Sequence, residues 1–145
     1  MADAIFDPAV MGWERRGTGP FSALTGPFWA RQDGADWIYG LPVEERHLNG
    51  AGIVHGGLLV TLADNALGLT AWESVGRVPC VTVQLNTQFI SAVRVGEFIE
   101  ARAEILRRAR STVFIRGVLR VDHRIVAAAD GVWKILSPAP ADISA

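Results

Sequence analysis

The chain has 145 residues, half of them apolar and a fifth charged, with 14 Lys and Arg against 15 Asp and Glu. This is the composition of one globular domain, 1–145, able to bury its own core. The charge balance excludes a general nucleic-acid or membrane-surface binder, which needs a basic excess. One cysteine, Cys80, and three scattered histidines offer neither a disulfide framework nor a zinc-like spacing, so no metal and no cofactor are expected. The stretch from Met1 to Val10 has no apolar run of the signal-peptide kind, and no run anywhere is long enough to cross a bilayer. A cytoplasmic location is therefore expected.

Pro and Gly cluster early, at Gly17, Gly19, Pro20, Gly26 and Pro27, and predict that residues 1–30 wander over a surface as an N-terminal extension. Trp37 to Pro42 reads as a short strand, and Glu44 to Val54, with His47, as a loop. A helix is expected from about Gly56 to Ser74. Leu58, Leu59, Leu62, Ala63, Ala66, Leu67 and Ala71 recur at three- and four-residue spacing, and Gly76 supplies a stop. Between Leu58 and Trp72 only Thr61, Asp64, Asn65 and Thr70 interrupt the apolar residues, so the helix should be buried.

Period-two alternation then predicts four strands, Cys80 to Ile90, Phe98 to Leu106, Thr112 to Val121 and Ile125 to Leu136, the last two joined at Asp122–His123. In the first, Val81, Val83, Leu85 and Phe89 should share one face. A buried helix with long antiparallel strands is an α+β layout.

Candidate chemistry gathers at the helix. Gly56 and Gly57 fall where helix N–H groups lack partners and the macrodipole is positive, which suits an anion or a developing oxyanion. A plain helix start with packing glycines is the alternative. Asp64 is a carboxylate within an apolar helix, costly unless paired, and such residues are enriched at functional sites. It could also turn outward as an ordinary surface acid.

The two positions are eight residues apart, roughly 12 Å on one helix, too far to serve one carbonyl. If both act, the site is shared between two copies of the chain. His55 reads as a residue that hydrogen-bonds the loop. The basic run Arg107, Arg108 and Arg110 is either a solvated hairpin or a contact for phosphates.

The order Asn49…Gly52-Ile53-Val54-His55-Gly56-Gly57…Leu62-Ala63-Asp64, followed by Val81-Thr82-Val83-Gln84-Leu85-Asn86…Phe89 and Gly96-Glu97, resembles the hotdog-fold thioesterases of the phenylacetic-acid-degradation (PaaI) type. The likeness covers about residues 35–137. It implies a five- or six-stranded antiparallel sheet wrapped round the helix, an acyl-CoA substrate, and a homodimer or a homotetramer. Asp64 would be nucleophile or general base, and the Gly56 N–H the oxyanion donor. Asn49 would place the carbonyl or the water, and Thr82 would orient the water. Beside these roles, His55, Gly57, Arg108 and Arg110 are the candidates for contact with the substrate. Gln84 departs from the pattern, which often has an acid there. A hotdog dehydratase or hydratase working through His55, and a non-catalytic acyl-CoA binder, are the rival readings.

Overall fold

The computed structural model describes residues 6–17 and 19–137. Its strands are β1 (Glu14–Arg15), β2 (Trp29–Asp33), β3 (Asp36–Pro42), β4 (Cys80–Phe89), β5 (Phe98–Arg108), β6 (Thr112–Val121) and β7 (Arg124–Ile135). Its helices are α1 (Pro20–Thr25) and α2 (Gly56–Ser74). All strands pair antiparallel in one sheet of order β1-β2-β3-β5-β6-β7-β4. Six are full strands, and β1 adds a two-residue pairing to β2.

The helix expected from the apolar spacing forms over the expected span. Leu58, Leu59, Leu62, Ala63, Ala66, Leu67 and Ala71 turn into the sheet, where Ile99, Val113, Ile115, Leu119, Val126 and Trp133 meet them. The approach is close. A Cβ built on Gly117 would lie 2.7 Å from Leu67 Cδ1 and 2.9 Å from the Arg102 carbonyl oxygen, so a glycine fits this close approach of α2, β5 and β6. The helix stops where expected, because Gly76 takes φ 69 and Arg77 donates its N–H back to the Trp72 carbonyl at 2.8 Å. The turn between β6 and β7 bends at Asp122, with φ 51. Among the described residues no helix is long and apolar enough to cross a membrane.

Two expectations are corrected. The described part of residues 1–30 does not wander but docks through short elements and β2, a strand that the sequence did not suggest. Alternating Arg–Trp stacks hold it: Arg15 over Trp29 at 5.2 Å, Arg16 over Trp37 at 4.7 Å and Arg31 over Trp13 at 4.9 Å. Arg46 donates to the Leu24 and Gly26 carbonyls. The ring of His47, in a 3-10 turn at Glu45–His47 within the expected loop, accepts the Glu44 N–H through Nδ1 at 2.9 Å. It reaches the Gly26 carbonyl through Nε2 at 3.1 Å.

The faces of β4 also differ from the period-two reading. The register slips between Thr82 and Gln84, leaving Val83 as a bulge. Thr82 therefore faces α2, opposite the buried Trp133, while Val81 and Val83 are exposed. Beyond the slip Leu85 packs inward.

Candidate active site

At the start of α2, His55 is the N-cap, and its Nδ1 accepts the Gly57 N–H at 2.8 Å. That bond leaves Nε2 to carry the hydrogen of a neutral ring. A Cβ on Gly57 would lie 2.9 Å from His55 Nδ1, so the glycine makes room for the ring to fold back. The Gly57 N–H is thus engaged by the chain itself. The Gly56 N–H has no acceptor among the described residues, and it sits at the positive end of the helix.

Asn49 shapes the loop before it. Its Oδ1 accepts the N–H of Ala51 at 2.9 Å and of Ile53 at 3.4 Å, and its own N–H donates to the Ile53 carbonyl at 2.7 Å. The side-chain Nδ2 donates to none of the described residues. Asn49, Gly56, Leu59, Phe89 and Val93 line a cleft of about 340 Å³. The Phe89 ring closes it over Gly56, where a Cβ would come within 3.1 Å of Cε1.

Further along α2, Asp64 is half-buried and Thr82 Oγ1 donates to its Oδ1 at 2.7 Å. The bulge at Val83 makes this contact possible, because it sets Thr82 on the helix-facing side of β4 while the rest of the strand still pairs with β7. Asp64 Oδ2 has no partner among the described residues.

The pair opens on a second cavity of about 460 Å³, walled by Leu69, Trp72, Pro79 and Trp133 and reached by Arg16. Asn65 also lines it, and its buried Nδ2 lacks a hydrogen-bond acceptor. Cys80 lies on the same wall, where burial pushes its thiol pKa up. The cleft and the cavity share no lining residue.

The structure thus joins Asp64 to Thr82, and Asn49 to Gly56, but keeps the two pairs apart within one chain. Arg108 lies at neither. Its Nη1 donates to the Ser74 carbonyl at 2.6 Å, completing the C-terminal end of α2. Arg110 is exposed on the turn after β5 and has no partner among the described residues. A larger hollow of about 830 Å³ on another part of the sheet, between Arg102, Arg116 and Asp130, contains none of the residues selected from sequence. Arg16, Asn65, Trp72 and Trp133 were not anticipated as site residues. Only Asn65, a second polar residue in the apolar helix, left a trace in the sequence.

Comparison with known proteins agrees with this architecture. The family model for the Thioesterase superfamily matches residues 51–128. The chain is 36% identical over 118 residues to a Pseudomonas aeruginosa protein named "Putative esterase PA0474", covering 80% of this chain and 88% of that one. It is 34% identical over 74 residues to acyl-coenzyme A thioesterase 13 of Homo sapiens, covering 51% of this chain and 53% of that one. A solved variant of the phenylacetic acid degradation protein PaaI of Thermus thermophilus superposes with a TM-score of 0.71 at 26% identity, over 81% of this chain and 100% of that one. The long helix in its antiparallel wrap is the hotdog fold, and the chain belongs to the thioesterase superfamily.

Proposed function

We propose that the protein hydrolyses an acyl- or aroyl-CoA thioester to the free acid and CoA, in the cytoplasm, at sites that each combine Asp64 of one copy with Gly56 of another. The observation that carries this reading is the separation of a Thr82-bound carboxylate from an unpaired helix N-terminal N–H, roughly 12 Å away on the same helix. Each half lacks what the other supplies. The Gly56 N–H polarises the thioester carbonyl and stabilises the oxyanion as it forms, with Asn49 Nδ2 placing the carbonyl or the water.

Asp64 either attacks the carbonyl carbon, or takes a proton from an attacking water and passes it to the departing sulfur. Along the first route the C–S bond breaks, CoA leaves and water then hydrolyses the acyl anhydride. Along the second route the water oxygen bonds to the acyl carbon, the C–S bond breaks and CoA leaves as its thiol. Thr82, its hydrogen committed to Asp64, keeps lone pairs that accept from the water and orient it. No metal or redox group enters the scheme.

Among the described residues β4 is an edge strand, and its exposed Val81, Val83, Phe89 and Ile90 support pairing of copies there. A homodimer is the minimum assembly on this reading, and a homotetramer its extension. Arg110, and the nitrogens of Arg108 not bound to Ser74, are the candidates for CoA phosphates. A dehydratase reading asks His55 to move protons on substrate, and the commitment of its Nδ1 to Gly57 counts against that. Thiol release across a panel of short, long and aromatic acyl-CoAs is the test. No release above background from any of them would overturn the proposal.

A further inference from the structure

The Asp64 cavity has a far end that the reaction does not use. Asp64 and Trp72 stand eight residues apart along α2, roughly 12 Å, with Leu69, Pro79 and Trp133 walling the space between. Arg16 enters from the docked N-terminal segment, outside residues 51–128 matched by the family model. Among the described residues it is the one cation on the cavity wall. Trp37, on which its guanidinium lies, shares a hollow with Thr70, Glu73 and Ser74, which places Arg16 by the C-terminal end of the helix.

Arg16 is held but unpaired. Its guanidinium stacks on Trp37 at 4.7 Å, which orients the planar group without consuming its N–H donors. Arg46, Arg77, Arg102, Arg116 and Arg124 each have a carboxylate, whereas Arg16 has neither ion pair nor hydrogen-bond acceptor for its side chain among the described residues. The nearby Glu73 is taken by Arg77 at 3.3 Å, so this end of the cavity keeps one uncompensated positive charge.

We propose that Arg16 reads the far end of the acyl group and selects chains that terminate in a carboxylate, the mono-CoA thioesters of dicarboxylic acids. The inference rests on the thioesterase reading and names the substrate class of the same site. An apolar corridor accepts the methylene chain, and a half-buried guanidinium fork accepts the terminal carboxylate in two parallel hydrogen bonds. The span keeps that carboxylate away from Asp64, so like charges do not meet.

The test compares adipoyl-CoA with hexanoyl-CoA, which share a chain length and differ at the terminus. Wild-type protein should favour adipoyl-CoA in kcat/KM, and Arg16→Gln should lower the adipoyl-to-hexanoyl ratio by roughly tenfold or more, with Arg16→Lys between them. A wild type that prefers hexanoyl-CoA, or a ratio untouched by Arg16→Gln, overturns the inference. Turnover of hexanoyl-CoA would in that case leave the thioesterase reading standing. If no thioester is hydrolysed, calorimetry on the Asp64→Asn variant still decides. Tighter binding of adipoyl-CoA that is lost when Arg16→Gln is added supports the role of Arg16, and equal or absent binding of the two ligands removes it.

Discussion

The two ends of the functional stretch of α2 are chemical opposites. At Gly56 the helix presents an N–H without an acceptor, beside an asparagine whose oxygen is used to shape a loop. Around Asp64 it presents a carboxylate with one oxygen bound to Thr82 and the other open. The first end can stabilise negative charge, and the second can accept a proton or attack a carbon. A straight helix holds them roughly 12 Å apart and cannot bring them together. On the proposed reading, one helix serves the reaction by lending each end to a site completed by a second copy of the chain.

The comparison breaks most sharply at Asp64. Asp64→Asn should lower kcat/KM by roughly 10²–10⁴ with the fold retained, because the amide is neither base nor nucleophile. A variant keeping more than about half of wild-type activity would mean that the carboxylate is not the acting group. Next comes complementation. Asn49→Ala and Asp64→Asn, refolded together, should regain roughly a quarter of wild-type sites, since half the pairs are mixed and one of their two sites is intact. Mixed pairs confirmed by tagged chains but inactive would show that the two ends do not meet across an interface.

Thr82 sharpens the acceptor end alone. Thr82→Ala removes a hydrogen bond to a charged group and should cost about tenfold in kcat/KM, while Thr82→Ser keeps the hydroxyl and most of the rate. Equal losses in both variants would point to packing on β4 instead. At the opposite end of α2, Arg108→Ala should lose the Ser74 contact and lower the melting temperature slightly, with Arg110→Ala thermally silent. If both bind phosphate, the double variant should raise KM for CoA thioesters with kcat little changed. An unchanged KM at low salt would make the turn an ordinary solvated one.

Much of this was legible in the sequence because it is periodic. The apolar spacing of α2 and the alternation in β5, β6 and β7 gave spans that the structure repeats within about two residues. Asp64 stood out as a charge in an apolar run. What stayed hidden depends on tertiary placement. Trp29–Asp33 carries no alternation and follows a Pro- and Gly-rich stretch, so β2 exists because β3 and the Arg–Trp stacks hold it. The bulge at Val83 reverses the faces of β4, and no residue type announces it. Arg16 reaches Asp64's cavity from residues far away in sequence, which neither period nor motif can reveal.

The smallest expected effect separates the two ends by pH. The segment after β4 backs the Gly56 cleft, where Val54 donates its N–H to the Val93 carbonyl at 2.8 Å. Glu97 ties that segment down by accepting the Arg94 N–H at 2.7 Å and the Arg124 guanidinium at 2.8 Å. Burial acts to raise the Glu97 pKa, but the Arg94 N–H and Arg124 outweigh it and hold the carboxyl below its ordinary value of 4.5. A lowered folded value means stability that is present in full above the ordinary value and lost as pH falls through the folded one. Glu97→Gln should therefore cost up to about 1 kcal/mol at neutral pH, and the gap from wild type should close in acid. Hydrogen exchange should show the loosening at residues 91–97 and the loop before α2, with the Asp64–Thr82 end unaffected. A gap that persists unchanged in acid, or loosening spread evenly along α2, would mean that the two ends are not stabilised independently.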